Sequence, residues 1–120
     1  MNRDNYLIRK ATKADLIEIK KICVDGFPDD DAYEIAKTLI DIQHYYVAED
    51  NETKRILGFI AFGIHSVQAS HIIILAVSTE CQRNGIGTSL LNYSLRIIEK
   101  TNSKRVRLEV RISNLTAISF

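Results

Sequence analysis

Cysteine, proline and glycine are scarce in this sequence. Its 120 residues hold two cysteines, one proline, five glycines and no tryptophan. Cys23 and Cys81 stand far apart and form no CxxC pair, which excludes a disulfide-dense scaffold. His44, His65 and His71 do not supply the short, fixed spacings of metal ligands, so no metal is expected. The two thiols read instead as small buried or half-buried groups. So little proline and glycine leaves no room for a collagenous repeat or a low-complexity linker. The longest unbroken apolar run, Ile72 to Val77, is far too short to cross a bilayer. Met1-Asn2-Arg3-Asp4-Asn5 starts polar and leads into no apolar h-region, so neither a signal peptide nor a membrane partner is expected. The expected compartment is the reduced, cytoplasmic one. Charge of one sign is lacking too: the formal net charge of +1 is not the basic footprint of a dedicated nucleic-acid binder.

What is present is ordinary in bulk. Hydrophobic residues make up 46% and charged residues 26%, and a chain of this length fits one core, so residues 1–120 read as a single domain. The charge is uneven. Residues 1–60 carry nine Lys/Arg against twelve Asp/Glu, a net −3, and residues 61–120 carry seven against three, a net +4. An acidic half and a mildly basic half suit a protein that handles both a cation and an anion, but a solvated surface is the simpler reading.

Tyr6-Leu7-Ile8-Arg9 reads as a first strand. Thr12 with Asp15 has the spacing of a capping box, after which Leu16, Ile19, Ile22 and Cys23 fall on one helical face until Gly26 and Pro28 stop the helix. Asp29-Asp30-Asp31 caps a second helix with the apolar face Ala32, Ile35, Ala36 and Leu39. Strands are expected over 45–49 and 56–63, joined by the polar turn Asp50-Asn51-Glu52-Thr53-Lys54. His71 to Val77 reads as a central strand covered on both faces. Gly85 to Lys100 carries Leu90, Leu91, Leu95 and Ile98 on one helical face. Arg105 to Arg111 alternates charged and apolar, as a strand with one polar face does, and a last helix is expected from Asn114. The order β-α-α-β-β-β-α-β-α predicts an α/β (α+β) architecture, a mixed and mostly antiparallel sheet flanked by helices, with one strand–helix–strand crossover.

The segment Gln82-Arg83-Asn84-Gly85-Ile86-Gly87-Thr88 lies between the most buried-looking strand and a long helix. Glycines at a helix entrance let backbone N–H groups approach an anion, and the helix dipole favours phosphate there. Read alone, the segment is as well explained by a tight turn. It has neither the Gly-Lys-Ser/Thr of a P-loop nor the dinucleotide GxGxxG.

Leu75 to Leu91 resembles the GNAT superfamily of acetyl-CoA-dependent N-acetyltransferases. The family's Gln/Arg-x-x-Gly-x-Gly/Ala signature matches at Gln82, Gly85 and Gly87, directly after the strand ending Leu75-Ala76-Val77. Leu108-Glu109-Val110-Arg111 and Asn114 through Ala117-Ile118 are similar to a segment of the protein N-terminal acetyltransferase branch, which includes the ribosomal-protein-alanine acetyltransferases. The resemblance implies a GNAT-like fold. It also implies that backbone amides of Arg83, Asn84, Gly85, Ile86, Gly87 and Thr88 hold the phosphates of acetyl-CoA. Leu75, Ala76 and Val77 would pair with the pantetheine arm, Asn114 would contact the cofactor, and Glu109 would be the general base. An amine must lose its proton to attack a thioester, which a carboxylate can relay. Period-two alternation sets Arg107, Glu109 and Arg111 on one strand face, where the arginines oppose the rise in pKa that burial would bring. Without the family match, a solvated Arg-Glu-Arg row is the simpler reading.

The chain ends at Phe120, where the family continues with a tyrosine that protonates the departing thiolate and then two further strands. Tyr45 and Tyr46 are read as packing residues and not as substitutes for it. The resemblance implies direct transfer in a ternary complex, and neither cysteine occupies a motif position for a covalent acyl-enzyme. Asp25, Asp29, Asp30, Asp31 and Glu34 crowd the connection between the first two helices. They suit a cationic acceptor (a peptide N-terminus, a lysine or a polyamine), though a capped, solvated turn is the simpler reading. The alternative reading is a catalytically incompetent acetyl-CoA-binding module, with sheet edges that invite strand exchange in a homodimer.

Overall fold

Alternating apolar residues build the strands and helical spacing builds their cover in the computed structural model, which describes residues 5–26, 32–41, 44–66, 69–78, 81, 85–101 and 106–112. Strands β1 (Tyr6–Lys10), β2 (His44–Asp50), β3 (Ile56–Ser66), β4 (Ala69–Val77) and β5 (Val106–Ile112) form one sheet in the order β1-β2-β3-β4-β5. The first three pairings are antiparallel. The last, β4 with β5, is parallel, and helix α3 (Ile86–Lys100) makes the crossover. Helices α1 (Leu16–Gly26) and α2 (Ala32–Leu39) separate β1 from β2. The sheet is thus mixed and mostly antiparallel, as the sequence predicts. The helix expected from Asn114 lies outside the described residues.

Each central strand divides its side chains between two cores. Tyr45 and Val47 of β2, Phe59 and Ala61 of β3, and Ile74 and Ala76 of β4 pack with Ile19, Ile22, Cys23 and Ala36 from α1 and α2. Their sequence neighbours Ala48, Ile60, Phe62, Leu75 and Val77 pack instead with Ile86, Leu90 and Ile98 of α3. This is the period-two alternation of a sheet covered on both faces. Ile74 to Val77 are all buried, as a central strand requires. Cys23 and Cys81 are buried thiols in separate cores.

The capping box forms. Asp15 Oδ2 accepts from the Thr12 N–H at 2.8 Å, and the Asp15 N–H donates to the Thr12 carbonyl at 3.0 Å. The turn it opens, Lys13–Asp15, is a 3-10 turn, so the α-helix proper starts only at Leu16. An i→i+3 bond tightens this first turn before the helix relaxes. The β2–β3 turn is held by Asp50, whose Oδ2 accepts from the Thr53 N–H and hydroxyl, each at 2.8 Å. Those bonds keep the Asp50 carboxyl below the usual carboxylate range.

Register shifts gather on β4. Between Ile72 and Ile74 its alignment slips against β3 on one side and against β5 on the other. A bulge of this kind bends a strand and re-aims the residues beyond it, in this strand Leu75-Ala76-Val77.

Candidate active site

β4 ends at Val77 and α3 begins at Ile86, a short connection further along the chain. Pairing of β4 with β5 is described as far as Leu75–Ile112, whereas pairing with β3 continues to Val77, opposite Gly58. The Ser78 N–H then donates to the Leu57 carbonyl at 2.7 Å, and the Cys81 N–H to the Ser78 carbonyl at 2.9 Å. These bonds hold Ser78 against β3 and Cys81 against Ser78 just past the end of β4. Of the residues the sequence assigns to the cofactor, Gln82, Arg83, Asn84 and Asn114 lie outside the described residues. Leu75, Ala76, Val77, Gly85, Ile86, Gly87 and Thr88 do not, and the fold brings them to this one corner.

Gly85 caps α3 with φ 78 and ψ 7, in the left-handed region where a side chain is strained and glycine is not. The Ser89 N–H donates to the Gly85 carbonyl at 2.9 Å, closing the first helical turn. Ile86 and Gly87 are buried, and Thr88 is half-buried. First-turn amides such as those of Ile86 and Gly87 have no acceptor within the helix, and the positive end of the helix dipole lies beside them. Such an end accommodates phosphate.

Two contacts that sequence reasoning missed hold this turn in place. The Tyr6 hydroxyl donates to Ser89 Oγ at 2.6 Å across 83 residues of sequence. Gly58 of β3 lies under the turn, where an added Cβ would meet the Ala76 carbonyl oxygen at 2.9 Å, Leu90 Cδ1 at 3.3 Å and Ile86 Cγ2 at 3.4 Å. A glycine inside an apolar strand is a signal of such close approach. No local signal marks the Tyr6–Ser89 pair.

Glu109 lies on β5, beside β4. Arg107 is opposite His71, Leu108 opposite Ile72 and Arg111 opposite Ile74, so Glu109 falls within the register shift. Of the acidic group, Asp25 and Glu34 are exposed near the facing ends of α1 and α2, and Asp29 to Asp31 lie outside the described residues. A cavity of about 170 Å³ opens beyond β4, lined by Asp50, Thr53, Arg55, Ile56, Leu57, Ser78 and Cys81.

Tyr45 and Tyr46 are packing residues. Tyr45 is fully buried and stacks on Phe59 with ring centroids 5.6 Å apart. Burial pushes its hydroxyl well above the ordinary tyrosine range, and that hydroxyl has no hydrogen-bond partner among the described residues. Tyr46 stacks on Phe62 at 5.9 Å and meets Tyr93 at 5.1 Å. Among the described residues no cluster of His, Cys, Asp and Glu is placed to hold a metal, and no helix is long and apolar enough to cross a membrane.

Residues 13–120 match the model of the acetyltransferase (GNAT) family. An N-alpha-acetyltransferase of Sulfolobus acidocaldarius is 34% identical, over 97% of this chain and 76% of its own length. Among solved structures, Ard1 from Thermoplasma volcanium superposes with a TM-score of 0.77 at 23% identity, covering 89% of this chain and 72% of that one. The PaiA N-acetyltransferase of Thermoplasma acidophilum, solved in complex with coenzyme A, gives 0.67 at 19% identity over 79% and 72%. At these identities the two structures speak for the fold. Fold, family model and relative agree: the chain belongs to the GNAT acetyltransferase family and is an N-acetyltransferase.

Proposed function

We propose that this chain moves the acetyl group of acetyl-CoA directly to a primary amine, with a protein N-terminus as the leading acceptor and a small basic amine as the other. The observation that carries the reading is the corner where Ala76–Val77, Gly85 and the first turn of α3 converge. The relative named N-alpha-acetyltransferase supports the acceptor class, and the coenzyme A complex of a structural neighbour supports the cofactor.

Acetyl-CoA supplies the thioester, whose C–S bond breaks after the C–N bond to the amine has formed, the sulfur leaving as a thiolate that takes its proton from solvent. The residues of the chain then divide the work. Amides from Arg83 to Thr88 would hold the phosphates, with Gly85 and Gly87 keeping side chains out of the way. The β5-facing backbone of Ala76 and Val77 would pair with the pantetheine arm as an added strand does. A backbone amide of β4 would stabilise the developing oxyanion. Gln82 and Asn114 would make the flanking contacts. Glu109 would take the proton from the amine, directly or through water.

The test is an acetyl-transfer assay that follows release of the free thiol. The acceptors compared are peptides with free or blocked N-termini, free lysine and a polyamine. Transfer to the free N-terminus and not to the blocked one is expected. Binding of acetyl-CoA with no transfer to any amine would overturn the enzymatic reading in favour of a cofactor-binding module.

A further inference from the structure

The first turn of α3 is held from two directions. On the core side Ile86 and Leu90, one turn apart, pack against the bare backbone of Gly58. Apolar packing of this kind sets how deeply the helix seats and which face it buries, but the hydrophobic effect itself is non-directional. On the flank, Ser89 receives the Tyr6 hydroxyl at 2.6 Å. Ser89 is also the residue whose N–H closes the turn on Gly85. A single residue therefore joins the left-handed glycine to a tether from the far edge of the sheet.

The other end of that tether is well anchored. Tyr6 is opposite Asp50 in the β1–β2 ladder, and the Asn51 N–H donates to the Asn5 carbonyl at 2.8 Å. Asp50 is itself clamped by Thr53. The tyrosine ring packs in the same core that α3 covers. Serine is a poorer helix former than alanine, and at position 89 its hydroxyl serves a contact across the sheet. A hydrogen bond, unlike packing, has a preferred direction.

We infer that Tyr6 and Ser89 are positioning residues for acetyl-CoA, fixing the rotation of α3 that aims the amides of Ile86 and Gly87 at its phosphates. This rests on the cofactor reading of the β4–α3 corner. Neither residue touches the reacting atoms. Their effect is confined to the phosphate-bearing part of the cofactor, which separates them from residues that merely hold the fold together.

The experiment measures binding of acetyl-CoA and of acetyl-pantetheine, which lacks the phosphates, to the full chain and to Tyr6→Phe, Ser89→Ala, Ser89→Thr and the Tyr6→Phe/Ser89→Ala double variant. Circular dichroism verifies that each is folded. Losing one neutral hydrogen bond should raise the Kd for acetyl-CoA about three- to tenfold in each of the first two. The double variant should be no worse than either single one, and Ser89→Thr should restore binding. The Kd for acetyl-pantetheine should not change. An unchanged Kd for acetyl-CoA in Tyr6→Phe overturns the inference, as does an equal loss for both ligands. If the wild-type chain itself fails to bind acetyl-CoA, the cofactor reading falls, and the inference with it.

Discussion

Gly58 and Ala76 approach so closely that a methyl group on Gly58 would sit 2.9 Å from the Ala76 carbonyl oxygen. The obstacle is backbone in the middle of a sheet, so a side chain cannot simply swing away. The same missing methyl gives Ile86 and Leu90 their seat. One hydrogen atom in place of a carbon thus sets the distance between β3, the end of β4 and α3.

Gly58→Ala should therefore destabilise the protein by about 1–3 kcal/mol, the usual cost of overpacking a core. Alanine's smaller backbone entropy cost, roughly 0.5–1 kcal/mol relative to glycine, offsets only part of this. Urea denaturation measures it. Because the clash displaces Ala76, acetyl-CoA affinity should fall as well.

Gly85→Ala places a Cβ on a residue at φ 78, which costs about 1–2 kcal/mol. Gly85→Asn should cost less, since asparagine tolerates that region better. Thermal denaturation of the pair checks the order. Gly87→Glu sets a carboxylate in the first turn of α3, where phosphate is expected, and should abolish saturable acetyl-CoA binding in a folded protein.

Arg9 joins β1 to the start of α1. Its guanidinium donates to Asp15 at 2.8 and 2.9 Å and to Glu49 at 2.9 and 3.2 Å. Burial alone would raise the Asp15 carboxyl, but the Arg9 and Thr12 hydrogen bonds outweigh it and hold the carboxyl below its ordinary 3.8. A carboxyl lowered in the folded state adds stability above its unfolded pKa, and that stability is lost as pH falls through the folded value. Asp15→Asn should thus cost about 1–2 kcal/mol near neutral pH, a figure kept modest because Arg9 is 30% exposed. The gap to wild type should hold down to about pH 5 and close as pH drops below 3.8. Denaturation curves across pH 2–7 would reveal it, and a gap independent of pH would exclude the charge as its source.

Glu109→Gln should lower the rate of transfer by about 10²–10⁴-fold, the usual contribution of a general base, while leaving acetyl-CoA affinity unchanged. Paired titration and initial-rate measurements separate the two quantities. A rate close to wild type would return Glu109 to a solvated row with Arg107 and Arg111.

Much of this architecture can be read locally. The Thr12–Asp15 cap is legible because both partners lie within one turn, and β4 because an apolar run of that length and composition suits a strand buried on both faces. Gly85 is legible through the signature that contains it. What escapes reading depends on the third dimension. Tyr6 and Ser89 meet only because β1 and α3 share a sheet face. Gly58 in its apolar strand signals a close approach, but not that Ala76 and α3 are what approach it. The slip at Ile72–Ile74 is a matter of register, which apolar spacing along β4 does not encode.

The most direct test is calorimetric titration of the 120-residue chain with acetyl-CoA, with free CoA as the control. The expected result is saturable binding at a single site, lost in Gly87→Glu. A folded chain that takes up no acetyl-CoA would contradict the assignment of the β4–α3 corner as the cofactor site.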